Sequence, residues 1–279
     1  METTMYYPDQ NLKQKQVEFY TRVAEGFGQS DLFSTYGTLF THMNYGYKPN
    51  SNKQYSRIQL PERCINKCFI NLALEVIGDA DLDGKKIIEV GSGRGGNVIV
   101  MKKYFKPGPI IGMDICKASI GYCRSYHPLD NVTWQVGDAE CLSFKDNSFD
   151  LVFNLESSHA YPHLNKFYDE TFRVLGPGGI FLYSDLFDIQ IFPVRKQYLQ
   201  DLGFIVQYDR DITSNVLLSC QEGEKSRMAL YPAQPDDKEA LIDFLGAPGS
   251  RNYRDLENGD KTYRILKLKK YDNHEKRKC

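Results

Sequence analysis

The sequence predicts an α/β fold, a doubly wound and mostly parallel sheet with helices on both faces. Three observations predict it. First, Lys86-Ile87-Ile88-Glu89-Val90 runs into Gly91-Ser92-Gly93-Arg94-Gly95-Gly96-Asn97, and a helical pattern follows to Tyr104; that is a buried strand, a tight turn and a helix N-terminus. Second, the apolar run Pro109–Ile115 carries Asp114 near its end, about twenty residues after the glycine loop. Doubly wound nucleotide sites place their ribose-binding carboxylate at this distance. Third, strand and helix patterns alternate from Lys85 onwards, which implies parallel strands joined by crossover helices.

The loop suggests its ligand. Gly91 and Gly93 have no Cβ, so the chain can turn sharply and lie close to a bound molecule. The helix N-terminus offers free N–H groups and partial positive charge to a carboxylate or phosphate. Glu89, just before the loop, would repel a pyrophosphate but could accept from a cation. Loop amides beside an acid suit a zwitterionic amino-acid tail next to a sulfonium. Asp114 is the candidate ribose ligand; its other reading is an N-cap for the segment from Lys117.

These residues carry a resemblance. Glu89-x-Gly91-x-Gly93 resembles motif I of the class I S-adenosylmethionine-dependent methyltransferases. Val132–Glu140 resembles the third strand and its turn, Ser148–Asn154 the fourth strand, and Arg173-Val174-Leu175-Gly176-Pro177-Gly178-Gly179 the turn into the fifth. The resemblance covers about residues 60 to 220 and implies a seven-stranded sheet whose last pair includes an antiparallel edge. It also implies the cofactor S-adenosyl-L-methionine, with S-adenosyl-L-homocysteine as product. Expected cofactor contacts are Glu89, Gly91, Ser92, Gly93, Arg94, Asp114, Ile115, Asn154 and Leu155, with Asp138 and Ala139 at the adenine.

Composition bounds the rest. The 279 residues are 41% hydrophobic and 25% charged, with a net charge of −1, ordinary for a globular protein. The near-neutral balance argues against a nucleic-acid partner. No apolar run approaches the roughly 18 residues of a membrane span. The first residues lack a secretory profile, so the expected setting is cytoplasmic, and the expected state a monomer or homodimer. The seven cysteines (64, 68, 116, 123, 141, 220 and 279) read as free thiols. Cys64 and Cys68 have no matching second pair for zinc, and no metal is expected.

Residues 1–58 read as a helical and aromatic lid, and residues 59–279 as the methyltransferase domain. Gln14–Ala24 has an amphipathic pattern. Asn44-Tyr45-Gly46-Tyr47 resembles the N-Y-G-Y/W segment that belongs to a lid in small-molecule methyltransferases; its plain alternative is aromatic packing. Tyr45 and Tyr20 are candidates to touch the cofactor. Gln59–Ile77 reads as one long helix, Phe181–Asp185 as the fifth strand, Val194–Leu202 as a helix and Phe204–Tyr208 as the sixth strand. Asp211–Gln221 resembles the family's D-I-T-x-N-V helix. Residues 222–253 read as a helical insertion, Lys261–Lys269 as a final strand, and the tail from Tyr271 as frayed.

Chemistry belongs at the carboxyl ends of the strands. Asn154-Leu155-Glu156-Ser157-Ser158-His159-Ala160-Tyr161 follows the fourth strand, and Ser184-Asp185 ends the fifth. In the sugar and polyketide O-methyltransferases this resembles, such segments flank the acceptor hydroxyl. His159 titrates near neutrality and could take the hydroxyl proton; Asp185 could hold its imidazole in the right tautomer. Glu156, His163 and His42 are candidates to meet the substrate. With His159-Ala160-Tyr161-Pro162 and Asp211–Val216 included, the chain resembles phthiotriol-type natural-product methyltransferases. It departs from them at Ser92, where cysteine is common, and in lacking a tryptophan after the glycine–aromatic step. The expected activity is methyl transfer to a hydroxyl of a small, largely apolar natural product. C- or N-methylation is the enzymatic alternative, and a binding protein that kept the fold is the non-enzymatic one.

Overall fold

A computed structural model of the chain describes residues 10–26, 41–50, 56–229 and 238–271. Strand β1 (Ile87–Val90) is buried along its whole length, as a central parallel strand covered on both faces should be. It pairs in parallel with β2 (Ile110–Asp114) and with β4 (Phe149–Leu155). With β3 (Val132–Val136), β5 (Leu175–Asp188), β6 (Phe204–Asp211) and β7 (Lys261–Lys270), the sheet order is β3-β2-β1-β4-β5-β7-β6. Strands 1 to 3 step one way and strands 4 and 5 the other. The order therefore reverses between β1 and β4, and a crevice opens beyond their carboxyl ends.

The antiparallel strand is not the edge expected from the sequence. β7 lies between β5 and β6 and is antiparallel to both. Thr262, Tyr263, Ile265, Leu266 and Leu268 are all buried, so β7 is covered on both faces. β6 takes the edge, and its Asp209-Arg210-Asp211 end fits the charge that edge strands carry.

The helices are α1 (Gln10–Gly26), α2 (Lys67–Ile77), α3 (Gly96–Tyr104), α4 (Lys117–Tyr126), α5 (Leu164–Val174), α6 (Phe192–Asp201), α7 (Thr213–Ala229), α8 (Lys238–Phe244) and α9 (Arg251–Asn258). α2 starts eight residues later than its apolar pattern predicts. Pro61 biases Leu60 away from helical backbone, and Asn66 sits left-handed at φ 60°, which asparagine tolerates. Cys64 therefore precedes the helix rather than sharing a face with Cys68. α7 runs without a break through residue 222, so the expected insertion begins inside a helix already under way. The segments 1–9, 27–40, 51–55, 230–237 and 272–279, including parts of the expected lid, linker, insertion and tail, lie outside the described residues.

The aromatic Asn44–Tyr47 segment is built into the core. Tyr45 and Tyr47 are buried. The Tyr47 N–H donates to Cys68 O at 2.8 Å, that of Lys48 to Asn215 O at 3.2 Å, and Ser219 Oγ to Tyr45 O at 2.9 Å. A Cβ on Gly46, at φ 75°, would lie 2.5 Å from Ser219 Oγ, so glycine lets the segment wedge between α2 and α7. Among the described residues, no helix is long and apolar enough to cross a membrane.

Candidate active site

The glycine loop folds back over the end of β2. Gly91 and Ser92 donate their N–H groups to Met113 O at 2.8 and 2.9 Å. Gly93 N–H donates to Asp114 Oδ2 and Cys116 N–H to Asp114 Oδ1, both at 2.8 Å. Asp114 thus pins the loop while its remaining lone pairs stay available. Gly91, at φ 75°, has no room for a Cβ, which would lie 2.3 Å from Ser157 Oγ. The loops after β1 and β4 meet there.

Glu89 lies beneath this loop. Its carboxylate accepts from Asn97 Nδ2 at 2.7 Å, and burial pushes its pKa up to about 8. It braces the first turn of α3 from below and does not line the cavity. Asn154 plays a similar part. Its amide donates to Val90 O at 2.9 Å and Ser157 Oγ at 2.8 Å, tying β4 to the glycine loop from within the core.

A cavity of about 360 Å³ occupies the switch point, within the roughly 300–1,000 Å³ usual for ligand sites. Gly91, Ser92, Gly93 and Arg94 form one wall, with Asp114 and Ile115 beside them. Asp138 and Ala139 lie on the β3 side, and Leu155, Glu156 and His159 line the β4 side. Tyr20, His42 and Tyr45 also reach the cavity. The Arg94 guanidinium stacks 3.6 Å above the Tyr122 ring. The Tyr45 hydroxyl donates to Asp243 O at 2.5 Å. His163 stands apart: it lines a separate, smaller hollow, and its N–H donates to Glu140 Oε1 at 2.8 Å. The turn at Ser158–Ala160 ends before α5 begins, so His159 and His163 do not share a helix face.

On the β4–β5 side, Asp185 is fully buried and accepts four hydrogen bonds. They come from His159 Nδ1 (2.8 Å), His159 N–H (3.1 Å), Ser158 Oγ (2.6 Å) and Leu186 N–H (2.8 Å). The imidazole is fixed through Nδ1 and keeps about a third of its side-chain surface open, at 33%. Its pKa is raised: burial pulls it down, but the Asp185 charge and hydrogen bond outweigh that. Next to it, Glu156 is left-handed at φ 49°, a strained conformation of the kind that clusters at functional sites. Its Oε2 accepts from Tyr45 N–H at 2.8 Å and Tyr263 Oη at 2.5 Å. Burial lifts its pKa to about 7.

α1 crosses above the cavity. Lys13 forms ion pairs with Asp138 and, at 3.0 Å, with Glu140. Phe19 and Tyr20 pack edge-on against Phe244, with centroids 6.0 and 6.2 Å away. Sequence reasoning missed Lys13, which had no motif around it. It also missed Tyr161, whose hydroxyl meets Ser157 Oγ at 2.9 Å beside Gly91. Tyr161 sits inside the His159 motif, and only its spacing from Ser157 could have signalled it.

Among the described residues, three buried polar atoms on residues of this wall have no hydrogen-bond partner: Ser92 Oγ, Asn97 Oδ1 and His42 Nδ1. Native interiors rarely leave such groups unpaired. A zwitterionic tail at this wall, with a ribose on Asp114, fits that set. Among the described residues, no cluster of His, Cys, Asp and Glu could hold a metal ion.

The glycine loop and His159, which Asp185 holds, thus line one cavity at the switch point of an α/β sheet. Residues 88–183 match a family described as methyltransferase domain. The chain is 32% identical over 226 residues to a fatty-acid O-methyltransferase of Mycolicibacterium smegmatis, covering 80% of this chain and 81% of that protein. It is 35% identical over 202 residues to a phthiotriol/phenolphthiotriol dimycocerosates methyltransferase of Mycobacterium tuberculosis, covering 72% and 75%. The chain belongs to the S-adenosylmethionine-dependent methyltransferases. Two solved structures share the fold. One is a geranyl diphosphate methyltransferase in complex with geranyl diphosphate and sinefungin (TM-score 0.63, 15% identity, 92% of this chain and 98% of that one). The other is the [4+2]-cyclase SpnF (TM-score 0.68, 17% identity, 91% and 97%); the same fold thus hosts different chemistries.

Proposed function

We propose that this enzyme methylates an oxygen of a small, largely apolar acceptor, and that His159, oriented by Asp185, removes the hydroxyl proton. The observation that carries this reading is the 2.8 Å contact between His159 Nδ1 and a fully buried Asp185, on an imidazole that lines the cavity. S-adenosylmethionine supplies an electrophilic methyl on a positively charged sulfur. The chain's residues do the rest. The glycine loop and Asp114 hold the amino-acid tail and ribose, and Asp138 and Ala139 meet the adenine. With Nδ1–H committed to Asp185, the other ring nitrogen, Nε2, is the one left to accept a proton. Glu156 Oε1 takes no hydrogen bond from the described residues and is available to the acceptor. α1 covers the cavity, excludes water and acts as the lid.

The relatives named for a fatty acid and for phthiotriol lipids support an apolar, oxygen-bearing acceptor. A second reading is favoured by the raised pKa of His159. A carboxylate acceptor is already anionic and needs no base, so the imidazolium would serve as its counter-ion. The pH dependence of single-turnover methylation separates the two, using a fatty alcohol and a fatty acid as acceptors. Proton removal by His159 predicts a rate that rises with pH through the imidazole pKa and falls about 10²-fold or more in H159A. The counter-ion role predicts a rate that falls with pH. No dependence on His159 with either acceptor would remove it from the chemistry.

A further inference from the structure

The geometry points to His42 as a cofactor-binding residue: its imidazole, seated over the first turn of α3, donates a hydrogen bond to the carboxylate of the donor's amino-acid tail. This rests on the family membership established above and is independent of the acceptor's identity.

The placement is close and specific. Thr41 and His42 lie directly on the N-terminus of α3. A Cβ on Gly96 would come within 2.5 Å of His42 Nδ1 and 2.8 Å of Thr41 O, so only glycine lets this segment approach the helix end. The ring lies nearly parallel to Phe69, at 12° and 6.4 Å between centroids. His42 lines the cavity together with Ser92 and Asn97. Its Nδ1 is buried and finds no hydrogen-bond partner among the described residues, and the same holds for Ser92 Oγ in the adjoining loop. An imidazole N–H, a hydroxyl and the first N–H groups of a helix all point to an anion. The amino-acid tail supplies one, and its ammonium matches Asn97 Oδ1, an acceptor on a residue of the same wall.

His42 acts as a neutral donor rather than a counter-ion. Burial pushes its pKa down to about 4, and the neighbouring His127 pushes the same way. A neutral ring keeps one N–H at every pH near neutrality. The sequence grouped His42 with the acceptor; the structure sets it beside the glycine loop.

The test is calorimetry on the full chain with two ligands, S-adenosylhomocysteine and 5′-methylthioadenosine. The second has the same thioether nucleoside without the amino-acid tail. H42F keeps an aromatic ring against Phe69 but has no donor. It is expected to lose about 10-fold or more in affinity for S-adenosylhomocysteine and to keep its affinity for 5′-methylthioadenosine. H42N retains a donor and is expected to recover part of the loss. Equal losses for both ligands, or unchanged affinity for S-adenosylhomocysteine, would overturn the assignment. A wild-type protein that binds neither ligand would instead remove the methyltransferase reading beneath it.

Discussion

Replacing Asp185 by asparagine keeps the side chain's volume and removes its charge. Asp185 accepts from His159 Nδ1 and Leu186 N–H on one oxygen, and from Ser158 Oγ and His159 N–H on the other. Asparagine can satisfy only one of these pairs with its oxygen. If its NH₂ faces His159, the ring must present an unprotonated Nδ1, and Nε2 carries the proton it was meant to accept. If its NH₂ faces Ser158, the tautomer survives but the imidazolium loses its counter-charge. Either outcome removes general-base assistance, worth about 10²- to 10⁴-fold, or about 2.7–5.4 kcal/mol at ~1.36 kcal/mol per decade. Cofactor affinity should hold, because Asp185 does not line the cavity. The Asp185 charge raises the His159 pKa, so in D185N the imidazole should titrate at lower pH, and the acid limb of the rate profile should move down with it. S-adenosylhomocysteine release from pH 5.5 to 9, alongside an NMR titration of His159, reads both effects. Turnover at the wild-type level with a shifted His159 titration would refute proton removal by this pair.

Other outcomes follow from the same contacts. Glu89 and Glu156 have folded pKa values of about 8 and about 7, raised by burial from 4.5. Their contribution to stability is therefore complete below about pH 4.5 and is lost as pH rises through 7 and 8; E89Q and E156Q should each flatten the fall in urea midpoint between pH 5 and pH 8.5. Lys13→Ala breaks the ion pairs that hold α1 over Asp138, a partly exposed contact worth about 0–1 kcal/mol. Hydrogen exchange in residues 10–26 should quicken by at most about fivefold, with the sheet unchanged. Gly91→Ala puts a Cβ 2.3 Å from Ser157 Oγ at φ 75° and should lower stability by about 1–3 kcal/mol, seen as a lower melting temperature.

The sheet and the glycine loop were legible because each rests on short-range pattern. Ile87–Val90 reads as a doubly buried strand and is one, and Asp114 falls where the spacing puts it. The position of β7 was hidden, since alternation in Lys261–Lys270 says nothing about which strands flank it. The start of α2 was hidden too: apolar spacing runs on through Gln59–Asn66 while Pro61 and a left-handed Asn66 stop the helix. Within the site, the His159–Asp185 contact joins two residues flagged separately, after β4 and β5. Lys13 reaches Asp138 across 125 residues of chain, and no local signal announces such a pair. His42 and His163 illustrate the same limit. Residue type nominated both, and tertiary placement sent one to the glycine loop and the other to a hollow outside the cavity.

The central claim is a sulfonium donor lying across the β1–β4 switch point with its ribose on Asp114. Calorimetric titration of S-adenosylmethionine into the wild type and D114N tests it most directly. Losing a hydrogen bond to a charged group costs about 1.5–3 kcal/mol, so D114N should bind about 10- to 150-fold more weakly than a clearly binding wild type. A wild type without measurable affinity, or a D114N that binds equally well, would contradict it.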